Sequence, residues 1–159
     1  MSVSQISAYV EDSMGGAAYL MDYLARMGIH PLALQLYREG SCCTARFVAP
    51  QPDRVTDGLR QRGVAAISAD VLALRGGMAE VCAALEALNA CELDVQYLYQ
   101  ARLPDGYCTV LCLSAPRRAE RLLAARGCTL WTQKQVNEYA GERAVVGYER
   151  DPAQCPVRS

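Results

Sequence analysis

Residues 15–27 read GGAAYLMDYLARM, and residues 76–88 read GGMAEVCAALEAL. Each stretch opens on two glycines and continues with apolar residues at the spacing of a helix that buries one face. In the first copy this pattern turns Asp22, Tyr23 and Arg26 away from the core. The predicted buried faces are Ala17, Leu20, Met21, Leu24 and Met27, and in the second copy Met78, Val81, Cys82, Leu85 and Leu88. A shift of 61 positions superposes the two glycine pairs, which indicates an internal repeat.

A second predicted helix also occurs twice, 64 positions apart. Each copy has a proline near its start and a glycine just past its end, the usual asymmetry of helix boundaries. The matched residues are Pro52, Arg54, Leu59, Arg62 and Gly63 in one copy and Pro116, Arg118, Leu123, Arg126 and Gly127 in the other. Ten matches at two neighbouring offsets support the repeat.

The segments between the helices have the alternation typical of strands with one buried face. An opening strand is expected at residues 3–10, and return strands at 42–49 and 107–113. Residues 64–74 are expected to hold two short strands, with a break near residues 68–70. The predicted core-facing sets are Ile6, Ala8 and Val10; Leu32, Leu34 and Leu36; and Leu93, Val95 and Tyr97.

Each repeat therefore has the order strand, helix, strand, strand, helix, strand. This order predicts an α+β protein of two tandem ferredoxin-like βαββαβ repeats, with antiparallel sheets and both helices on one face. We place the first repeat at residues 1–68, the second at 69–131 and a C-terminal extension at 132–159.

On these residues the chain resembles the tandem ACT-domain family, small regulatory proteins and modules that often bind amino acids. The resemblance covers about residues 1–131. The family's Asn-x-Pro-Gly-x-Leu turn corresponds to residues 11–17, EDSMGGA, and to residues 75–78, RGGM. Its Gly-Ile-Asn-Ile element corresponds to residues 28–31, GIHP, and to residues 93–95, LDV, so that His30 and Asp94 stand where the family has asparagine.

The glycine turns have a chemical rationale of their own. Glycine lets the backbone approach a ligand closely, and the free N–H groups of a helix N-terminus favour an anion such as a carboxylate. Asp12 or Asp94 could accept a hydrogen bond from an ammonium group, so an amino acid suits the arrangement; alternatively, the glycines only make tight turns. The candidate ligand-binding residues are Asp12, Ser13, Met14, Gly15, Gly16, His30, Arg75, Gly76, Gly77 and Asp94. Pseudo-symmetry predicts two related pockets of unequal affinity near the interface between the repeats.

Catalysis is the less economical hypothesis. The chain has one histidine, His30, without an identifiable nucleophile or metal partner, and no nucleophile elbow, P-loop or Rossmann motif. Its eight cysteines lack zinc-knuckle spacing and are expected to be reduced and mostly packed in the core. We expect no catalytic residue, metal or cofactor. An enzyme that uses His30 or a cysteine is the third hypothesis.

The charge pattern bears on partners. The net charge is −1, and Lys134 is the only lysine among 16 basic residues, which gives no reason to expect nucleic acid binding. No apolar run approaches the roughly 20 residues that span a bilayer, and the N-terminus lacks signal-peptide features. We therefore expect a cytoplasmic protein without membrane contact.

We expect a regulatory protein that binds a small-molecule ligand, and an amino acid is the leading candidate for that ligand. The alternative is an unliganded assembly module that regulates a partner enzyme. An exposed sheet edge or face favours a homodimer, in which Tyr97 and Tyr99, which share one face of their strand, serve core or dimer packing.

The C-terminal extension contains two short candidate elements. Residues 132–139 predict a helix capped by Thr132 and stopped at Gly141. Residues 144–148 are a candidate strand, and residues 151–159 resemble a frayed end.

Overall fold

A computed structural model describes residues 2–144 of the chain, without the side chains of residues 140–144. It confirms the α+β class and the tandem βαββαβ order. The strands are β1 (Val3–Glu11), β2 (Ala33–Glu39), β3 (Cys42–Val48), β4 (Ala65–Gly76), β5 (Val95–Leu103), β6 (Gly106–Leu113) and β7 (Thr129–Leu130). The helices are α1 (Gly16–Arg26), α2 (Pro52–Gln61), α3 (Met78–Ala90), α4 (Pro116–Ala125) and α5 (Gln133–Ala144).

The two repeats share strand β4. The expected break near residues 68–70 is wrong, because β4 is one continuous strand of 12 residues. Its first part, residues 65–71, pairs with β1, and its second part, residues 72–76, pairs with β6. The boundary drawn between residues 68 and 69 therefore falls inside this strand. Backbone pairing with β1 and then β6 keeps residues 68–70 extended where side-chain pattern alone suggests an interruption.

The sheet order, β2-β3-β1-β4-β6-β5 with β7 also on β4, places a ferredoxin-like sheet on each half of β4. Two hydrophobic cores lie between these sheets and their own helices, one around Phe47 and Leu59 and the other around Leu111 and Leu123. A third core contains Val3 and Val48 of the first repeat with Val110 of the second. Since β2 also contacts β5, the sheet folds over at β4, and the faces that carry no helices pack against each other.

The predicted buried face of α1 is partly wrong. Leu20 and Leu24 are buried as expected, but Tyr23 is 4% exposed, whereas Met21 and Met27 are exposed. The buried side is centred further towards Tyr23, whose ring packs beside Gly58 of α2. A Cβ at Gly58 would overlap the Tyr23 hydroxyl, so the glycine makes room for the tyrosine. In α3, Met78 and Cys82 are likewise exposed, and Ala84 and Ala87 are buried instead.

Two strand alternations are also wrong in part. A β-bulge between Val95 and Tyr97 reverses the side-chain direction, so Val95 packs towards the helices while Tyr97 packs between the sheets. In the edge strand β2, Leu36 is 39% exposed, because no helix covers that end of the strand. Tyr97 and Tyr99 do share one face, as predicted.

Helix α5 ties the C-terminal extension to the first repeat. Thr132 caps it, since Thr132 Oγ1 accepts from Gln135 N–H at 3.2 Å and the Gln135 side chain accepts from Thr132 N–H at 2.9 Å. Gln133 accepts from Ser4 N–H and donates to the Ala49 carbonyl. The predicted stop at Gly141 is wrong, because the helix continues to Ala144. A single glycine costs a helix only about 1 kcal/mol and need not end it. The candidate strand after Ala144 and the expected frayed end lie outside the described residues.

Candidate ligand site

The turn between β1 and α1, residues 11–16, is the first of the two glycine turns. Asp12–Met14 forms a single 3-10 turn after the extended residue Glu11. Gly15 and Gly16 follow with φ of 98° and 57°, both in the left-handed region that glycine adopts without steric cost. These two conformations redirect the chain from the strand into the helix, so glycine is favoured at both positions.

A charged pair lies at this turn. The Arg38 guanidinium, from the end of β2, donates to the Asp12 carboxylate. Asp12 N–H donates to the Ser41 carbonyl at 3.0 Å, and Arg38 Nε donates to the Gly40 carbonyl at 3.1 Å. The β2–β3 hairpin therefore fixes the position of the pair, while both side chains stay well exposed to a ligand from solvent.

The N-terminus of α1 lacks a side-chain cap. Gly15 occupies the capping position, and no side chain among the described residues accepts from the first N–H groups of the helix. A Cβ at Gly16 would lie 3.6 Å from Asp12 Oδ1, so the carboxylate borders the start of the helix. Hydrogen-bond donors, a guanidinium and a carboxylate thus converge on the same small surface.

The second glycine turn, residues 75–77, is filled by its own protein. The Glu80 carboxylate accepts from Gly77 N–H at 2.8 Å and so occupies the N-terminus of α3. Gly76 has a φ of 151°, and a Cβ there would lie 2.8 Å from Glu80 Cβ. A Cβ at Gly106 would lie 3.1 Å from the Gly76 carbonyl oxygen. Tight packing of the turn accounts for these glycines.

Arg75, beside the second turn, is likewise engaged. Its guanidinium donates to the Asp105 carboxylate and lies 5.0 Å from the centre of the Trp131 ring. The hydrogen bond from Arg75 is the main cause that holds the pKa of the Asp105 carboxyl below its ordinary value. Arg75 therefore connects the β5–β6 turn to Trp131, two residues before α5.

The structure disperses the predicted site residues. The first turn brings Asp12, Gly15 and Gly16 together, with Ser13 bonded to Glu11 at 3.3 Å. Met14 is exposed on the same turn. The second turn follows the opposite end of β4, and strand rise over the 11 residues from 65 to 76 gives a separation of roughly 35 Å. The two turns therefore lie at opposite ends of β4, not together at the interface between the repeats.

His30 and Asp94 each lie away from the glycine turn of their own repeat. Each follows the C-terminal end of the first helix of its repeat, about 16 Å from the glycines in α1 and about 20 Å in α3 by helix rise. His30 is exposed and lines an open cavity of about 890 Å³ beside Met21 and Pro31. Asp94 is exposed just before β5.

Sequence reasoning missed Arg38 and Glu80. The spacing Gly77-x-x-Glu80 is that of a capping box with glycine at the capping position, so Glu80 could have been found. Arg38 could not, because it reaches Asp12 only through the register of the β2–β3 hairpin.

The cysteines and the acidic side chains of residues 2–144 are the remaining candidates for chemistry. The cysteines in this part of the chain form no disulfide, and no cluster of three His, Cys, Asp or Glu side chains could hold a metal ion. Burial raises the pKa of the Cys108 thiol to about 12, so this thiol is protonated at neutral pH. No helix of the described residues is both long and apolar enough to cross a bilayer.

The chain has an ACT-like fold of ferredoxin-like βαββαβ repeats, and two solved structures are similar to it. Protein BT0572 from Bacteroides thetaiotaomicron is 18% identical, with a TM-score of 0.78 over 87% of this chain and 97% of that one. The ligand-free regulatory subunit of aspartate kinase from Thermus thermophilus is also 18% identical, with a TM-score of 0.51 over 79% of this chain and 93% of that one. No protein-family model and no curated protein sequence matches the chain.

Proposed function

We propose that this protein is a regulatory protein that binds a small zwitterionic ligand, preferably a free amino acid, at the first glycine turn. The observation that carries the proposal is the uncapped N-terminus of α1 beside the Asp12–Arg38 pair. The aspartate kinase regulatory subunit, which is similar in fold, supports the regulatory role.

The chemistry follows from the groups at the turn. The ligand carboxylate accepts hydrogen bonds from the N–H groups at the start of α1 and from the Arg38 guanidinium. The ligand ammonium group donates to the Asp12 carboxylate. Gly15 and Gly16 leave the backbone accessible, and the ligand side chain extends towards solvent past Ser13 and Met14.

This proposal assigns the second turn, with Arg75, Gly76 and Gly77, a structural role in the unliganded protein. Glu80 already places a carboxylate beside the N-terminus of α3. His30 lies about 16 Å from the glycines of the first turn by helix rise, too far to contact this ligand. Asp94 belongs to the second repeat and has no role in this proposal.

A calorimetric titration with amino acids pooled by side-chain class tests the proposal. We expect heat from one pool with one site per chain, and at least a tenfold loss of affinity in Asp12→Asn and in Arg38→Gln, since each removes one charged contact. Asp105→Asn, which breaks the corresponding pair at the second turn, is the matched control and should bind normally. The site would be ruled out if no pool produced heat, or if all three variants lost affinity equally.

The second candidate function is assembly without a ligand. It is favoured by the second turn, where the protein's own Glu80 carboxylate accepts from Gly77 N–H and Arg75 pairs with Asp105. This candidate would be supported if the chain bound no amino acid and co-purified with an enzyme in a stoichiometric ratio. The cytoplasmic location and the homodimer remain predictions.

A further inference from the structure

A cavity of about 220 Å³ lies at the C-terminal end of α1 in the first repeat and is here called the extension pocket. Its walls come from α1, from the loop that joins β3 to α2, from the first turn of α2 and from α5 of the C-terminal extension. Helix rise along the 11 residues of α1 separates it from the first glycine turn by about 16 Å. At roughly 30 Å³ for each water-sized group, it has room for about seven, which is the size of a small organic molecule.

One wall of the extension pocket is apolar. Tyr23 and Val55 belong to the core of the first repeat and are each 4% exposed, and Ile29 packs against the same core. Met27 lines the pocket as well and is largely exposed. An apolar group that covers this wall leaves water and so gains free energy, which makes the wall suitable for a short hydrocarbon tail.

The amide of Asn137, which lines the pocket from α5, has an orientation fixed by its neighbours. The Gln133 side-chain oxygen accepts from Ser4 N–H at 3.0 Å, so the Gln133 amide nitrogen lies on the other side. That nitrogen donates to the Ala49 carbonyl at 3.1 Å and to Asn137 Oδ1 at 3.0 Å. Asn137 Oδ1 also accepts from Gln51 N–H at 3.1 Å. The oxygen of Asn137 is therefore used twice, and the group that it keeps for a ligand is the Nδ2 donor.

Gln51 and Arg54 also offer donors to the pocket. Arg54 Nη1 donates to Gln51 Oε1 at 3.2 Å, which engages the oxygen of that amide and leaves its nitrogen. Arg54 forms no ion pair within residues 2–144, and it is the one charged residue among the described residues that line the pocket. Three donor groups and a positive charge favour an anionic ligand.

The corresponding position of the second repeat is built differently. Arg118, which corresponds to Arg54 at the offset of 64, donates to the Cys91 carbonyl at 3.5 Å. Ala115 stands where the first repeat has Gln51. Helix α5 forms its hydrogen bonds to β1 and to the end of β3, which belong to the first repeat. The C-terminal extension therefore completes the pocket in the first repeat, and Arg118 provides a natural comparison.

We propose that the extension pocket binds a small aliphatic monocarboxylate. The ligand carboxylate accepts hydrogen bonds from the Arg54 guanidinium and from Asn137 Nδ2, and its tail packs against Tyr23 and Val55. No carboxylate lines the pocket within the described residues, so an ammonium group would find no charged partner there. The ligand class therefore differs from the zwitterion proposed for the first glycine turn, and the inference is independent of that proposal.

NMR titration of the full chain with acetate, propanoate and butanoate tests the proposal, with chloride replaced so that the ionic strength stays constant. We expect the Kd to fall about fourfold for each added methylene group, because each is buried against the apolar wall. The amide signals of Gln51 and Asn137 should shift, whereas that of Arg118 should not. Butylammonium has a tail of similar length and the opposite charge, and it should not bind.

Two variants separate the pocket from general anion binding. Arg54→Gln removes the positive charge and should raise the Kd for butanoate at least about tenfold, whereas the matched control Arg118→Gln should leave it unchanged. Asn137→Asp keeps an oxygen that accepts from Gln51 N–H but replaces Nδ2 with a carboxylate oxygen. Its thermal midpoint should stay close to that of the wild-type protein, and its butanoate binding should be lost through repulsion between like charges.

The proposal would be overturned if no carboxylate bound, if affinity did not rise with tail length, or if Arg54→Gln and Arg118→Gln lost affinity equally. Normal butanoate binding by the folded Asn137→Asp variant would also overturn it. A loss of butanoate binding in Arg38→Gln would place the anion at the first glycine turn instead, with the same consequence. Amino-acid calorimetry of Arg54→Gln shows separately whether the glycine turn binds its ligand, so the two proposals can fail independently.

Discussion

The two glycine turns contain the same Gly-Gly dipeptide but have different structures. In the first, the N-terminus of α1 has no side-chain cap, and in the second the Glu80 carboxylate fills the N-terminus of α3. The residue that corresponds to Glu80 in the first repeat, 61 positions earlier, is Tyr19. One side chain therefore gives the second turn a carboxylate that the first turn lacks, a difference that the glycine motif alone does not reveal.

The largest difference between the turns should appear when a methyl group is added. Gly76→Ala places a Cβ 2.8 Å from Glu80 Cβ at a φ of 151°, whereas Gly15→Ala meets Tyr19 Cβ at an ordinary 3.4 Å. We expect Gly76→Ala to lower the free energy of unfolding by about 2–4 kcal/mol and Gly15→Ala by about 1 kcal/mol. Urea denaturation measures both values.

Gly63→Ala provides the control for backbone strain alone. Gly63 has a φ of 77° and open space around its Cβ position. The loss of unfolding free energy in Gly63→Ala therefore measures the strain of the left-handed conformation without a steric clash. Equal costs for Gly76→Ala and Gly63→Ala would show that the close approach of Glu80 does not matter.

An intermediate effect on stability is expected when the Glu80 side chain is removed from the second turn. Glu80→Ala removes the side chain that accepts from Gly77 N–H and should cost about 1 kcal/mol, the usual value of a helix cap. If an open helix N-terminus suffices for binding, the variant also gains a second, weaker ligand site per chain in calorimetry. Glu86→Ala, an exposed position in the same helix, removes the same charge away from the turn and should change neither quantity.

The smallest effect concerns the Arg75–Asp105 pair. Its hydrogen bond lowers the pKa of the Asp105 carboxyl in the folded protein, so the folded state binds fewer protons than the unfolded state. The stabilisation is fully present above the unfolded pKa of about 4 and is lost as the pH falls through the lower folded value. Below about pH 4 the Tm of the wild-type protein should therefore fall slightly more steeply than that of Asp105→Asn.

The expected difference is small because both side chains are solvent-exposed. Asp70→Asn serves as the control, since Asp70 is exposed and forms no ion pair within residues 2–144. A wild-type protein and an Asp105→Asn variant with parallel Tm curves down to pH 2 would contradict the role of the pair.

The fold was largely predictable because the features that define each repeat are local in sequence. The proline and glycine boundaries of α2 and α4, and the alternation of Ile6, Ala8 and Val10, depend on residues close in sequence. The errors depend on contacts between distant segments. Tyr23 is buried because Gly58 leaves it room, and β4 is continuous because β1 and then β6 pair with it.

The site was less predictable than the fold for the same reason. The glycine turns were identified at the correct positions, since φ above zero is a local demand on the backbone. His30 and Asp94 were grouped with the turns by position in a motif, whereas the helices that separate them hold them apart. Whether any of these residues binds a ligand remains a prediction.

Strand β4 has a consequence for how the protein folds. Its first part completes the first repeat's sheet and its second part belongs to the second repeat's sheet, with no turn between the two parts. The two repeats also share the core that contains Val3, Val48 and Val110. We therefore expect the duplicated sequence to unfold as one cooperative unit and not as two independent domains.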